Sequence, residues 1–263
     1  MAATNENTNI ALFCDFENIA LGVRDAKYTT FDINRVLERL LLKGSIVVKK
    51  AYCDWDRYKD FKSPMHEAAF ELIEIPHIRQ SGKNSADIRM VVDALDLCYT
   101  KSHVDTFVII SGDSDFSPLV SKLRENNKTV IGIGVKDSTS NLLSANCDEF
   151  IFYDDLVREQ KFSRSPTPKK SQNAKPTNKR QEALDFIVET LEALSEERGE
   201  EEKMWGSMVK QTMKRRRPGF TESAYGYRSF RELVEDAQKC NLLIMNRDDK
   251  TGQYTIRLPA EEI

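Results

Sequence analysis

Between Ile10 and Tyr153, short apolar runs alternate with stretches whose apolar residues recur at helical spacing. The runs IALFCDF (Ile10 to Phe16), SIVVKKAYC (Ser45 to Cys53), ELIEI (Glu71 to Ile75), TFVIIS (Thr106 to Ser111), TVIGIGV (Thr129 to Val135) and EFIFY (Glu149 to Tyr153) read as strands. Several are almost unbroken Val, Ile and Phe, as in strands covered on both faces. In FDINRVLERLLLKG, Ile33, Val36, Leu37 and Leu40 form one apolar stripe of a helix that stops at Gly44. Helices are also expected from Ala86 to Thr100 and from Ser117 to Asn126, with a short turn after Ser140. This alternation predicts an α/β fold, a Rossmann-like parallel sheet flanked by crossover helices, over residues 10–158.

After Tyr153 the pattern changes. The stretch QKFSRSPTPKKSQNAKPTNKR (Gln160 to Arg180) has three prolines, basic residues throughout and no acid. It cannot bury enough apolar surface to offset the entropy of ordering, which predicts a flexible basic linker over 159–180. Periodicity then returns in EALDFIVETLEAL, MWGSMVKQTMKRRRPGF and YGYRSFRELVEDAQKCNLL, with a final LLIMN and QYTIRL pair. Three helices and a two-stranded wing are expected, a small winged-helix-like domain over 181–263. The polar residues 1–9 are expected to be disordered.

Composition narrows the function classes. An apolar content of 40% with 31% charged residues in 263 suits a folded soluble protein of two domains, and a formal net charge of -3 neither supports nor excludes nucleic acid. Met1 to Asn9 lacks the basic and apolar regions of a signal peptide, and no apolar run approaches the roughly 18 residues that span a bilayer. A cytoplasmic protein, not engaged with membranes, is expected. Cys14, Cys53, Cys98, Cys147 and Cys240 form no C-x-x-C, and His66, His77 and His103 pair neither with one another nor with a cysteine. A thiolate zinc site, a disulfide framework and a histidine-centred mechanism therefore lack support.

What remains is a set of acids. Asp15 closes the first strand, Asp113 and Asp115 follow the fourth in SGDSDF, and Asp87 opens the helix after GKNSAD. The carboxyl ends of strands in an open parallel sheet face one crevice, so these distant residues can meet there. Clustered carboxylates repel unless a cation neutralises them, and oxygen ligands without Cys or His favour Mg2+ or Mn2+. Such a site suits phosphodiester hydrolysis. Singly, each acid also fits a plainer role: a turn residue at Asp15, a first-turn acid at Asp87, a capping pair at Asp113 and Asp115. Asp93 lies six residues after Asp87, about 240° further round a helix. Other phosphate chemistries fit less well. No G-x-x-x-x-G-K-[ST] is present, GIG (Gly132 to Gly134) lies inside a strand, and the first strand ends in DFEN where an aspartyl phosphatase would have D-x-D.

The segments FCDFENIA, GKNSADIRMVVDAL, FVIISGDSDFSPLV and STSNLLSANCDEFI, in that order, resemble an NYN domain, the PIN-like ribonuclease group that includes the LabA-like proteins. The resemblance runs from Ile10 to Val157. It implies a metal-dependent ribonuclease, with Asp15, Asp87, Asp113 and Asp115 at the family's acidic positions. Asn18, Lys83, Asp93 and Ser111 match polar positions near the site. The C-terminal stretch is similar to an OST-HTH or LOTUS domain, which implies RNA binding or contact with a protein partner. There Gly226, Tyr227, Phe230 and Leu233 match a core motif. Lys210, Lys214, Arg215, Arg216 and Arg217 form a basic cluster beside Tyr225 and Tyr227 suited to RNA. The expected function is a Mg2+- or Mn2+-dependent endoribonuclease acting on RNA; the alternative is an RNA-binding regulatory protein with a slow or inactive nuclease site.

Overall fold

Successive residues of the central strands bury into two different cores, which makes the first part of the chain a sheet with helices on both faces. A computed structural model describes residues 8–75, 85–163, 176–199, 202–217, 220–247 and 253–259. The chain divides into two compact units, Met1–Pro166 and Thr167–Ile263. In the first unit, β1 (Asn9–Asp15), β2 (Ser45–Cys53), β3 (Glu71–Glu74), β4 (Thr106–Ile110), β5 (Thr129–Gly134) and β6 (Glu149–Phe152) lie in the order β3-β2-β1-β4-β5-β6. Every neighbouring pair is parallel.

The helices are α1 (Phe16–Asp25), α2 (Ile33–Lys43), α3 (Lys59–Glu67), α4 (Ser85–Thr100), α5 (Ser117–Glu125), α6 (Asn141–Asn146) and α7 (Tyr153–Ser163). On one face Leu12, Cys14, Val108 and Ile110 meet Phe16, Ile19, Val36, Leu40, Met65 and Leu156. On the other, Ala11, Phe13, Phe107 and Ile109 meet Met90, Ala94, Leu119, Val120 and Leu143. The period of two along a strand thus supplies both cores. From β1 the chain proceeds toward β2 and β3, and from β4 toward β5 and β6. Their connections therefore diverge and leave a crevice at the carboxyl ends of β1 and β4, the topological switch point of a doubly wound sheet.

The second unit contains α8 (Pro176–Arg198), β7 (Met204–Trp205), α9 (Gly206–Arg216), a 3-10 turn at Glu222–Tyr225, α10 (Phe230–Lys239), β8 (Ile244–Arg247) and β9 (Tyr254–Arg257). It is winged-helix-like, with one addition to the expectation: Met204 and Trp205 pair with β9, so the wing is a three-stranded antiparallel sheet, β7-β9-β8. Tyr227, Phe230 and Leu233 are buried as expected. Gly226 is not a core residue. It is exposed with φ 85°, closing the 3-10 turn in the left-handed conformation that glycine adopts without strain. Helical backbone also enters both ends of the stretch that composition marks as a linker. α7 continues to Ser163, and α8 starts on Pro176, whose missing N–H is no loss at a first helical position. Residues 164–175 lie outside those described, as do residues 1–7. Among the described residues no helix is long and apolar enough to cross a membrane.

Candidate active site

Asp15 ends β1 and caps α1. One carboxylate oxygen accepts the Asn18 N–H (3.3 Å), and the other accepts the Ser111 hydroxyl (3.0 Å) from the loop after β4. The loop is fastened in turn, because Gly112 N–H donates to Asn18 Oδ1 (2.9 Å) and Asp113 N–H to Ser111 Oγ (3.2 Å). Asp113 caps the following 3-10 turn by accepting the Asp115 N–H at 3.0 Å. The capping roles of Asp15 and Asp113 are therefore real, and each is compatible with a place in the crevice, since a carboxylate has more acceptor capacity than one cap uses. Close packing of the loop depends on Gly112: a Cβ there would lie 2.4 Å from the Ser138 carbonyl oxygen.

Electrostatics connect the four acids. Asp15 is only 8% exposed, and its carboxyl is pushed from its ordinary 3.8 to about 7, first by burial and then by the charges of Asp87 and Asp113. Asp87, in the first turn of α4, is raised to about 6 by burial and by Asp113, Asp115 and Glu17. Glu17 was not singled out from sequence. It stands two residues after Asp15 in the first turn of α1, and Arg57 pairs with it at 3.2 Å. Among the described residues no three His, Cys, Asp or Glu side chains already stand at the spacing that holds a metal ion. The acids feel one another's charge without being drawn into a closed ligand set. Their all-oxygen chemistry and shared repulsion suit a hard divalent cation.

The supporting residues divide. Asn18 and Ser111 are in the crevice through the bonds just given. Asp93 is directed elsewhere: it accepts from Tyr52 Oη at 2.9 Å and pairs with Lys50 (3.3 Å) and Arg89 (3.1 Å), fastening α4 to β2. Lys83 lies outside the described residues. A cavity of about 730 Å3 sits among Tyr28, Phe31, Arg35, Phe61 and Tyr153 and holds none of the four acids.

In the second unit the five basic candidates do not share one face. Arg216 turns inward, bonding Glu189 (2.8 Å) and Thr190 Oγ1 (3.0 Å), with its side chain only 13% exposed. Arg215 is partly buried and donates to Thr212 Oγ1. Lys210 pairs with Glu222 at 2.9 Å. Lys214 and Arg217 are exposed, and the Arg217 guanidinium lies 3.9 Å from the Phe186 ring centre. Successive residues of a helix are about 100° apart, so a run such as KRRR must wrap around it.

Comparison with known proteins places this geometry in a family. The NYN domain matches residues 9–154. The chain is 27% identical over 164 residues to the uncharacterized protein MJ0482 of Methanocaldococcus jannaschii, a match that spans 62% of each protein. Its fold is similar to that of a crystallised protein of unknown function, VPA0982 from Vibrio parahaemolyticus, with TM-score 0.51 and 28% identity, covering 59% of this chain and 98% of the other. With more than half its length matched, and with the motif acids brought to the switch point of a parallel sheet, this chain belongs to the NYN domain family.

Proposed function

We propose that the chain is a metal-dependent endoribonuclease in which Asp15, Asp87, Asp113 and Asp115 hold Mg2+ or Mn2+ and a single strand of RNA crosses the crevice. The observation that carries this reading is that Asp15, buried at the end of β1, is coupled electrostatically to Asp87 of α4 and Asp113 of the loop after β4 at one switch point. A bound cation would supply an activated water and neutralise charge on the phosphate. The chain's own part is orientation. Ser111 and the Asn18 backbone fix the Asp15 carboxylate, and Asn18 Oδ1 fixes the loop that carries Asp113. We assign the exposed Asp115 to orient the water. Lys83 is assigned a phosphate contact on its match to the family motif. Five free thiols suit the reducing cytoplasm as the site of action.

The second unit is proposed to be an OST-HTH/LOTUS domain that binds RNA through Lys210, Lys214 and Arg217, joined by the basic segment rich in proline. The competing reading, an RNA-binding regulator with a slow or inactive nuclease site, draws on the acids not standing, among the described residues, at the spacing that holds a metal ion. A cleavage assay on single-stranded RNA with Mn2+ decides between them. Cleavage by the wild-type chain that disappears in Asp15→Asn and Asp113→Asn supports the enzyme; RNA binding without cleavage supports the regulator.

A further inference from the structure

Helix α4 is apolar on two opposite faces. Met90, Ala94 and Cys98 are buried in the core beneath it, while Ile88, Val92 and Tyr99 on the outer face are 62%, 55% and 64% exposed. Positions 88, 92, 95 and 99 recur at steps of four, three and four, so the half-buried Leu95 completes one stripe along the outer face. A single exposed apolar side chain is ordinary, but a contiguous row is not. Of the five large apolar side chains exposed among the described residues, three stand in this row. A helix that is apolar all round is one that is covered on both sides. Tyr99 is also fixed in place, since its hydroxyl accepts from Asn126 Nδ2 (3.3 Å) and holds the ring at the surface.

We infer that this stripe is a self-association surface, through which two copies of the chain pair α4 against α4, antiparallel about a two-fold axis. The pattern is self-complementary: an axis midway between Val92 and Leu95 brings Ile88 to Tyr99 of the second copy and Val92 to its Leu95. The charges agree with that register. Arg89 and Asp96, both exposed, lie on the same edge of the stripe, about 60° and 40° round the helix from Val92. The axis sets each against the other on the second copy. Arg89 also pairs with Asp93 at 3.1 Å, and a guanidinium keeps donors for a second carboxylate. An RNA strand would meet one base and one acid here, with no net charge to draw a phosphate. The strip is one helix wide and about 24 Å long, from 16 residues. It falls short of the roughly 800 Å2 per partner of a standard interface, which makes the dimer reversible and of micromolar strength. Asp87 lies about 140° round the helix from Val92, off the stripe, so the inference does not depend on what the crevice does.

The test is sedimentation velocity on the full chain over a concentration series. Wild type should pass from monomer to dimer across the micromolar range. Val92→Glu should weaken the dimer at least about tenfold, because each copy would then bury a carboxylate against an apolar face. Arg89→Asp alone and Asp96→Arg alone should each weaken it, since like charges meet twice in the two-fold pair. An equimolar mixture of those two variants should regain the wild-type dimer, because both contacts of the mixed pair again join opposite charges. Thermal unfolding of Val92→Glu should match wild type, as the substitution stands at an exposed position. A wild type that stays monomeric throughout, a dimer that Val92→Glu leaves intact, or a mixture no stronger than either variant alone overturns the inference. So does a lowered unfolding temperature in Val92→Glu, which would mean that the chain covers this stripe itself.

Discussion

Ser111 Oγ donates to Asp15 Oδ2 across 3.0 Å, a bond between residues 96 positions apart that joins the loop after β4 to the end of β1. It holds a buried carboxylate in one orientation, and it lowers the proton affinity that burial and the neighbouring acids raise. The two effects work against each other, and burial wins.

A stability profile should expose that balance. Folding raises Asp15 from 3.8 to about 7, so between those values the native state holds a proton that the unfolded chain releases. In metal-free buffer, stability is fullest at the acid end of this window, falls as pH rises through it and stays at the lower level above pH 7. Asp15→Asn should remove most of this slope and unfold later than wild type at pH 8, by about 1–3 kcal/mol. Urea unfolding in EDTA at pH 5 and pH 8 measures it; a wild-type curve that rises with pH across the window would contradict the burial of this acid.

Gly112 gives a steric prediction. Alanine there would bring a Cβ to 2.4 Å from the Ser138 carbonyl oxygen, and that neighbour is backbone, so the loop must shift. The Asn18 and Ser111 bonds that pass through residues 112 and 113 would lengthen with it. Gly112→Ala should lower kcat at least about tenfold, because displacement of a reacting group by a fraction of an ångström is felt that strongly. Unaltered kcat would mean that the loop does not position the acids.

Asp93 should behave as a structural tether and not as a member of the acidic set. Asp93→Ala leaves the Tyr52 hydroxyl and Lys50 without their shared acceptor and loosens α4 on β2. Stability should fall by about 1–3 kcal/mol. The pH dependence of cleavage should keep its wild-type midpoint, since Asp93 is not among the charges that shift Asp15 or Asp87. A moved midpoint would return Asp93 to the site.

Within the basic run, two neighbours should separate fold from binding. Arg216→Ala removes bonds to Glu189 and Thr190 and a place against Phe186. It should destabilise the second unit by about 1–3 kcal/mol. Lys214→Ala, at an exposed position, should leave stability within about 0.5 kcal/mol. It should also reduce the salt dependence of RNA binding by about one counterion in slope. Circular dichroism melts and anisotropy titrations at several salt concentrations give both quantities; identical behaviour of the two variants would refute the division.

Much of the first unit was legible because buried parallel strands announce themselves as apolar runs, and because acids at the ends of β1 and β4 needed only the sheet order to meet. The direction of a side chain was not legible in the same way. Asp93 and Arg216 sit in segments whose neighbours point at the expected surfaces, yet both turn onto partners, Lys50 and Glu189, far away in sequence. Helix α3 was hidden by Pro64 in its interior and by having Met65 as its sole buried residue. The strand at Met204–Trp205 is too short to show any alternation. Glu17 carried no signal of its own, since an acid in the first turn of a helix is ordinary there.

The pairing of β1 with β4 also sets when the crevice comes into being. Ribosomes make β1 first, yet its neighbour on this side is built from residues 106–110, after β2, β3 and four helices have emerged. Contacts of such long sequence separation form late and slowly. Asp15 therefore spends much of synthesis without the loop that orients it, and no truncated nascent chain ending before β4 can carry the assembled carboxylates. The proposed site is therefore completed only when the sheet has closed around its middle strands, and topology alone sets that order.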